Sequence, residues 1–263
     1  MVKDFATREW QYSTDASALS NMASIQIILW RTGMCVFGHT SDAMVNIAYS
    51  YSFSQPLNLI QLENLLLSLP ILAGPQPVRN IWLIEPRSLS FPAEINDQQA
   101  VASWLRQMHF IETDETVHIE ALESIHAGIA YPLKTEIKNM LRQYFEEAAI
   151  RLLTAAPFFD MNQQSAPVAQ LILAGKSYVS GMIHEGKMLR LQTGTYETLE
   201  DLVYHLAMVT QEHNLPGHQL KVTLQGIDTD LAGLSRSMQD YYPKTMLITD
   251  NDKAYANFLT QLF

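Results

Sequence analysis

The chain has 263 residues, 48% of them hydrophobic and 17% charged. That apolar content suits one large folded domain or two smaller ones and excludes a disordered polymer. The formal net charge is −10, with 17 Lys and Arg scattered against 27 Asp and Glu, so neither a nucleic-acid backbone nor an anionic membrane surface meets the clustered cations it would need.

A single cysteine, Cys35, leaves no pair for an internal disulfide or a cysteine-rich zinc site and fits a reducing compartment. It stands in the apolar run Met34-Cys35-Val36-Phe37 and reads as an inert strand residue. The N-terminal stretch carries Lys3, Asp4, Arg8, Glu9 and Asp15 and lacks the apolar core of a signal peptide. No segment reaches the ~18 apolar residues of a membrane span, so there is no expected transmembrane segment and the expected location is the cytoplasm.

In chain order, residues 1–23 read as an arm or a short edge element. Three strands follow, Ile25 to Trp30, Met34 to Gly38 and Met44 to Phe53, joined by turns at Arg31-Thr32-Gly33 and His39-Thr40-Ser41-Asp42. Period-two apolar residues (Val45, Ile47, Tyr49, Tyr51, Phe53) mark the third. Short connections make this an antiparallel meander, and sheet packing accounts for the aromatic residues. Leu57 to Leu69 has helical spacing and stops at Pro70 and Gly74-Pro75. Ile81 to Ile84 is a short buried strand. Asp97 caps a helix reaching Met108, Val117 to Tyr131 holds extended material, and Thr135 to Leu153 reads as one long helix.

Residues 156–167, with Pro157, Asp160, Asn162 and Pro167, are the best linker in the chain. After it the order restarts. Strands at Val168 to Leu173, Tyr178 to Ile183 and Met188 to Thr193 are joined by turns at Gly175-Lys176 and His184 to Lys187. A helix from Leu199 to Gln211 opens with the capping-box-like Thr198-Leu199-Glu200-Asp201. A strand from Leu220 to Leu224, a helix from Leu231 to Tyr242, a strand at Met246 to Ile248 and a closing helix from Lys253 to Phe263 complete the chain. Both halves therefore read meander, helix, strand, helix, strand, a repeat of element order. The predicted fold is α/β with two mixed-sheet lobes, an order that resembles two ribonuclease-H-like lobes in an actin-like ATPase arrangement. The first lobe with its arm spans 1–155, the linker 156–167 and the second lobe 168–263.

The stretch from Gly186 to Tyr204, with its strand, short polar piece and acidic-Asp-x-x-Tyr helix start, resembles an uncharacterised bacterial family, mostly from Bacteroidetes, described as a domain of unknown function with an actin-like ATPase fold. Ile129-Ala130-Tyr131-Pro132-Leu133 resembles its first-half pattern, and the likeness covers roughly residues 20–250. It implies a fold and no established activity.

In actin-like ATPases the first hairpin of each lobe supplies a phosphate-binding turn, an Asp nearby helps hold the metal–nucleotide, and small residues let backbone N–H groups approach the phosphate. Here the first hairpin reads Leu29-Trp30-Arg31-Thr32-Gly33-Met34 and the second Leu173-Ala174-Gly175-Lys176-Ser177-Tyr178, both without a carboxylate. The resemblance implies a vestigial phosphate site at Arg31, Thr32, Gly175, Lys176 and Ser177. The competing reading is two ordinary hairpin turns, because metal-assisted phosphoryl transfer needs oxygen ligands. The adenosine-side motif keeps one glycine, Gly226, and Asp228 or Asp230 reads as a cap for the next helix.

Other chemistries are poorly supported. Gly175-Lys176-Ser177 lacks the earlier glycine and the following helix of a P-loop. The first strands lack the carboxylates of a ribonuclease-H nuclease. The histidines show no ligand pairing: His205 and His213 are eight apart, and His118 with Glu120 reads as a solvated strand face. Glu146-Glu147 reads as a solvated helix face. No Gly-x-Ser-x-Gly elbow is present. The leading expectation is a non-catalytic, degenerate actin-like protein serving as an interaction or scaffold module for protein partners. On this expectation it carries no catalytic residues, metal or cofactor and binds no nucleic acid. The alternative is a nucleotide-binding protein or weak ATPase or kinase that takes ATP and magnesium in the interlobe cleft.

Overall fold

The structure is a computed structural model that describes residues 6–14, 17–122, 125–156, 166–227 and 231–247. Most of the expected linker, Asp228, Asp230, Ile248 and the expected closing helix lie outside the described residues.

The branched and aromatic residues of the first half form a six-stranded sheet. Strand β1 (Ala6–Ser13) is its edge and pairs antiparallel with β4 (Val45–Phe53). β2 (Ser24–Trp30), β3 (Gly33–His39) and β4 are the meander. Helix α1 (Leu59–Ser68) starts where the Asn58 side chain accepts hydrogen bonds from the backbone N–H groups of Ile60 and Gln61. It buries Leu62, Leu65 and Leu66. The chain then crosses to β5 (Val78–Ile84), parallel to β2. The crossover covers a face of the sheet, and β2 is buried along its whole length.

Between β5 and the next crossover lies a small subdomain. It contains β6 (Leu89–Pro92), α2 (Gln98–Met108), β7 (Glu115–Leu122) and β8 (Ala127–Lys134), with strand order β6-β8-β7, all antiparallel. Phe91, Val101, Leu105 and Ala130 form its own core. Asp97 caps α2 as expected, accepting from Gln99 N–H and Ala100 N–H.

The long helix expected from Thr135 to Leu153 is shorter. α3 (Thr135–Tyr144) buries Ile137, Met140 and Leu141, then ends at Phe145. Glu146 and Glu147 form an exposed turn, not a helix face. Ala149–Leu152 is strand β9, parallel to β5. A pairing partner across the sheet outweighs local helix propensity here. β9 completes the order β1-β4-β3-β2-β5-β9.

The second half repeats the plan. β10 (Val168–Ala174), β11 (Ser177–His184) and β12 (Lys187–Thr195) form the meander, joined at its second turn by Glu185-Gly186 with positive φ at both residues. α4 (Leu199–Glu212) opens with the Thr198–Asp201 capping box. β13 (Lys221–Gly226), α5 (Leu231–Met238) and β14 (Met246–Leu247) follow, giving the order β12-β11-β10-β13-β14.

Alternation along β10 and β11 decides how the lobes meet. Ala169, Leu171, Leu173, Tyr178 and Met182 join the core under α4 and α5. The intervening Ile172, Ala174, Val179 and Ile183 join the core of the first lobe, together with Leu191 and Ile227. One apolar core thus runs across the lobe boundary. Hydrogen bonds beside it tie β12 to the segment after β5. The Thr193 hydroxyl donates to Glu85 O at 2.5 Å and meets the Ser88 hydroxyl at 2.6 Å, and the Ser90 hydroxyl donates to Leu191 O at 2.8 Å. Among the described residues no helix is long and apolar enough to cross a membrane.

Candidate functional site

The two hairpin turns come together at the lobe junction. The first is held by backbone bonds, with Phe53 N–H donating to Thr32 O at 2.8 Å and Leu57 N–H to Arg31 O at 2.9 Å. The second is held by Tyr196, whose N–H donates to Lys176 O at 3.0 Å and whose hydroxyl donates to Gly175 O at 2.9 Å. Trp30, 6% exposed, lays its indole across Gly33 and against Gly175. A Cβ on Gly175 would sit 2.9 Å from Trp30 Nε1 and 3.8 Å from Thr32 Oγ1, and φ at Gly175 is +57°. Glycine is therefore set by both the backbone conformation and the indole.

Of the six residues expected around a phosphate, Thr32 and Gly175 face each other directly. Arg31 is exposed beside them. Lys176 donates from Nζ to Glu197 O at 2.7 Å and lies 5.3 Å from the centre of the Tyr196 ring. Ser177 is buried, 2% exposed, where β11 pairs with Ala174 and Thr195. Gly226 lies in the sheet at the end of β13, opposite Leu173. A Cβ there would overlap the Leu173 carbonyl oxygen, and φ is +147°. That glycine is required by the neighbouring strand, and the next residue, Ile227, donates its N–H to the same carbonyl at 3.0 Å.

A crevice of about 360 Å³ opens on the first lobe beside the turn. It lies outside the carboxyl ends of the parallel strands β2 and β5, where open α/β sheets place ligands. Leu29, Leu57, Leu83, Ile84, Leu133 and Ile137 give it an apolar lining, and Trp30 and Arg31 bound the hairpin side. Its polar wall is two ion-pair clusters. Arg87 makes a fork to Glu115, with Nη1 to Oε2 at 2.9 Å and Nη2 to Oε1 at 2.7 Å. It also donates from Nε to Glu85 Oε1 at 2.9 Å and from Nη1 to Phe110 O at 3.2 Å. These carboxylates hold the guanidinium pKa above its usual value against the opposing effect of burial. Lys134 bonds Glu112 of the lining at 2.8 Å and Asp114, just outside it, at 3.1 Å.

Sequence reasoning missed this wall. Glu85, Glu112, Asp114 and Glu115 converge only because β5, β7 and β8 meet, and no short motif carries them. The nearest signal is the charge density of Glu112-Thr113-Asp114-Glu115. The His118–Glu120 pair also differs from the expected solvated face. α3 covers it. Glu120 accepts from the Tyr131 hydroxyl at 2.6 Å, and burial raises its pKa. His118 sits between Thr116 Oγ1 at 2.9 Å and Lys138 Nζ at 3.2 Å, and its pKa is lowered by burial and by the Lys138 and Arg142 charges.

Comparison with known proteins matches this architecture. Residues 11–245 match the family described as Protein of unknown function (DUF3822). The chain belongs to DUF3822. A structure from Bacteroides thetaiotaomicron VPI-5482, described as a protein with actin-like ATPase fold and unknown function, superimposes on this DUF3822 chain with a TM-score of 0.72 at 14% identity, covering 95% of this chain and 99% of that one. A chain of the PilM-PilN type IV pilus biogenesis complex gives 0.54 at 10% identity, covering 91% and 98%. These likenesses show the actin-like ATPase fold in two lobes. No curated protein matches the sequence.

Proposed function

We propose that this DUF3822 chain is a non-catalytic interaction module in which the actin-like frame holds a partner, with the first-lobe crevice as the docking place. The observation that carries the reading is the packing of Trp30 on Gly175. In an actin-like ATPase a nucleotide phosphate needs backbone N–H groups of both turns to approach its oxygens. Here an indole stands between those turns, Lys176 is turned to Glu197 O, and Ser177 is buried. These residues do not fit a magnesium–nucleotide phosphate. The PilM-PilN structure is that of a complex, which supports partner binding as a use of this frame.

Thermal denaturation with and without millimolar magnesium-ATP tests the reading. The expected result is an unchanged Tm. A bound ligand at about 100 times its Kd adds roughly 2.7 kcal/mol of stability. A clear upward shift, abolished in Lys176→Ala, would overturn the proposal in favour of a nucleotide-binding protein.

A further inference from the structure

The chemistry of the crevice selects its occupant. We infer that it takes an apolar peptide segment carrying a nearby Lys or Arg, an inference that rests on the interaction-module reading above. The two ion-pair clusters set four carboxylates (Glu85, Glu115, Glu112, Asp114) against two cations, Arg87 and Lys134. Within the lining Glu85, Glu112 and Glu115 are matched by Arg31, Arg87 and Lys134, so the surplus carboxylate is Asp114, just outside the lining on Lys134. The excess is unevenly placed. The Glu115 and Glu85 side chains are 2% and 22% exposed and are spent on Arg87, whereas Glu112 and Asp114 are 47% and 48% exposed and share a single lysine. A second cation can reach them from solvent.

Beside these carboxylates Phe110 is 82% exposed and lines the crevice. An aromatic ring this exposed at the mouth of an apolar crevice marks a contact surface. Met108 at 62% and Trp104 at 40% extend the apolar surface back along α2, one helical turn apart. The segment therefore inserts aliphatic side chains over Leu57, Leu133 and Ile137, covers Phe110, and places its cation on Glu112 and Asp114. An acidic segment or a nucleotide triphosphate meets like charge at the same rim.

Fluorescence anisotropy with three short labelled peptides tests this. They share one Leu- and Ile-containing core and differ only in Arg, Gln or Glu flanks. The Arg-flanked peptide is expected to bind the protein about three- to tenfold more tightly than the Gln-flanked one, and the Glu-flanked one most weakly. Glu112→Gln with Asp114→Asn should remove the Arg advantage and leave the Gln-flanked peptide unchanged. Phe110→Ala should weaken the Arg- and Gln-flanked peptides alike. All three substituted side chains are substantially exposed, so the fold survives. A Glu-flanked peptide that binds as tightly as the Arg-flanked one, a ranking unmoved by the double substitution, or no binding by any peptide would overturn the inference. A nucleotide-induced rise in Tm would instead fail the non-catalytic reading, so the two failures are distinguishable.

Discussion

His39 ends β3 with its ring buried, 0% exposed. Burial lowers its pKa from 6.5 to about 3, opposed by its contact with Ala43 O. Between those two values the unfolded chain holds a proton that the native chain does not. Stability from this group is therefore complete above about pH 6.5 and is lost as pH falls towards 3. His118 and His205 shift in the same direction, again chiefly by burial. In urea titrations the wild type should lose stability as pH falls below about 6.5, and His39→Gln should lose less, by up to about 1.4 kcal/mol per pH unit. Parallel pH curves for the two proteins would contradict a neutral, buried His39. Cys35, by contrast, is silent at any accessible pH, since burial raises its thiol pKa far above the usual range.

At the scale of elements, Arg87 joins the end of β5 to the start of β7 and so fixes the small subdomain on the main sheet. Removing it would leave the Glu115 carboxylate, 2% exposed, without its fork. Arg87→Ala is expected to cost about 3 kcal/mol in chemical denaturation, with Arg87→Lys recovering only part because an ammonium cannot make the paired bonds. A loss below about 1 kcal/mol would mean that the cluster behaves as an exposed pair. The same elements mark where sequence was readable. The meanders announced themselves through period-two residues such as Val45 to Phe53, and α2 and α4 through Asp97 and the Thr198–Asp201 box. β9 did not, because Ala149–Leu152 has no flanking Gly or Pro and becomes a strand only when Asn80 to Leu83 lie alongside. β6, four residues ending in Pro92, was equally invisible. The crevice required β2, β5, β7, β8 and α3 to be assembled before its lining existed, so Phe110 and Glu112 carried no signal of their own.

For the molecule as a whole, the actin-like frame depends on what stands between the lobes. Here it is a shared apolar core, from Ile172, Ala174 and Val179 across to the first sheet, with the two hairpin turns in contact at its edge. The apolar interface and the Thr193 hydrogen bonds resist separation of the two lobes. The first turn lacked a carboxylate in the sequence, and Trp30 was the bulky residue beside it. Only the fold shows that the indole spans to the second turn.

Contact between the turns is tested most directly by a double-mutant cycle on Trp30→Ala and Gly175→Ala, read by chemical denaturation. A methyl group at position 175 meets two costs, the positive φ and the indole nitrogen 2.9 Å away. The backbone cost is the same in both backgrounds, whereas the steric cost vanishes once the indole is gone. Gly175→Ala is therefore expected to destabilise the Trp30→Ala protein by about 1 kcal/mol less than it destabilises the wild type. Strictly additive losses would place the indole away from the second turn and contradict the account.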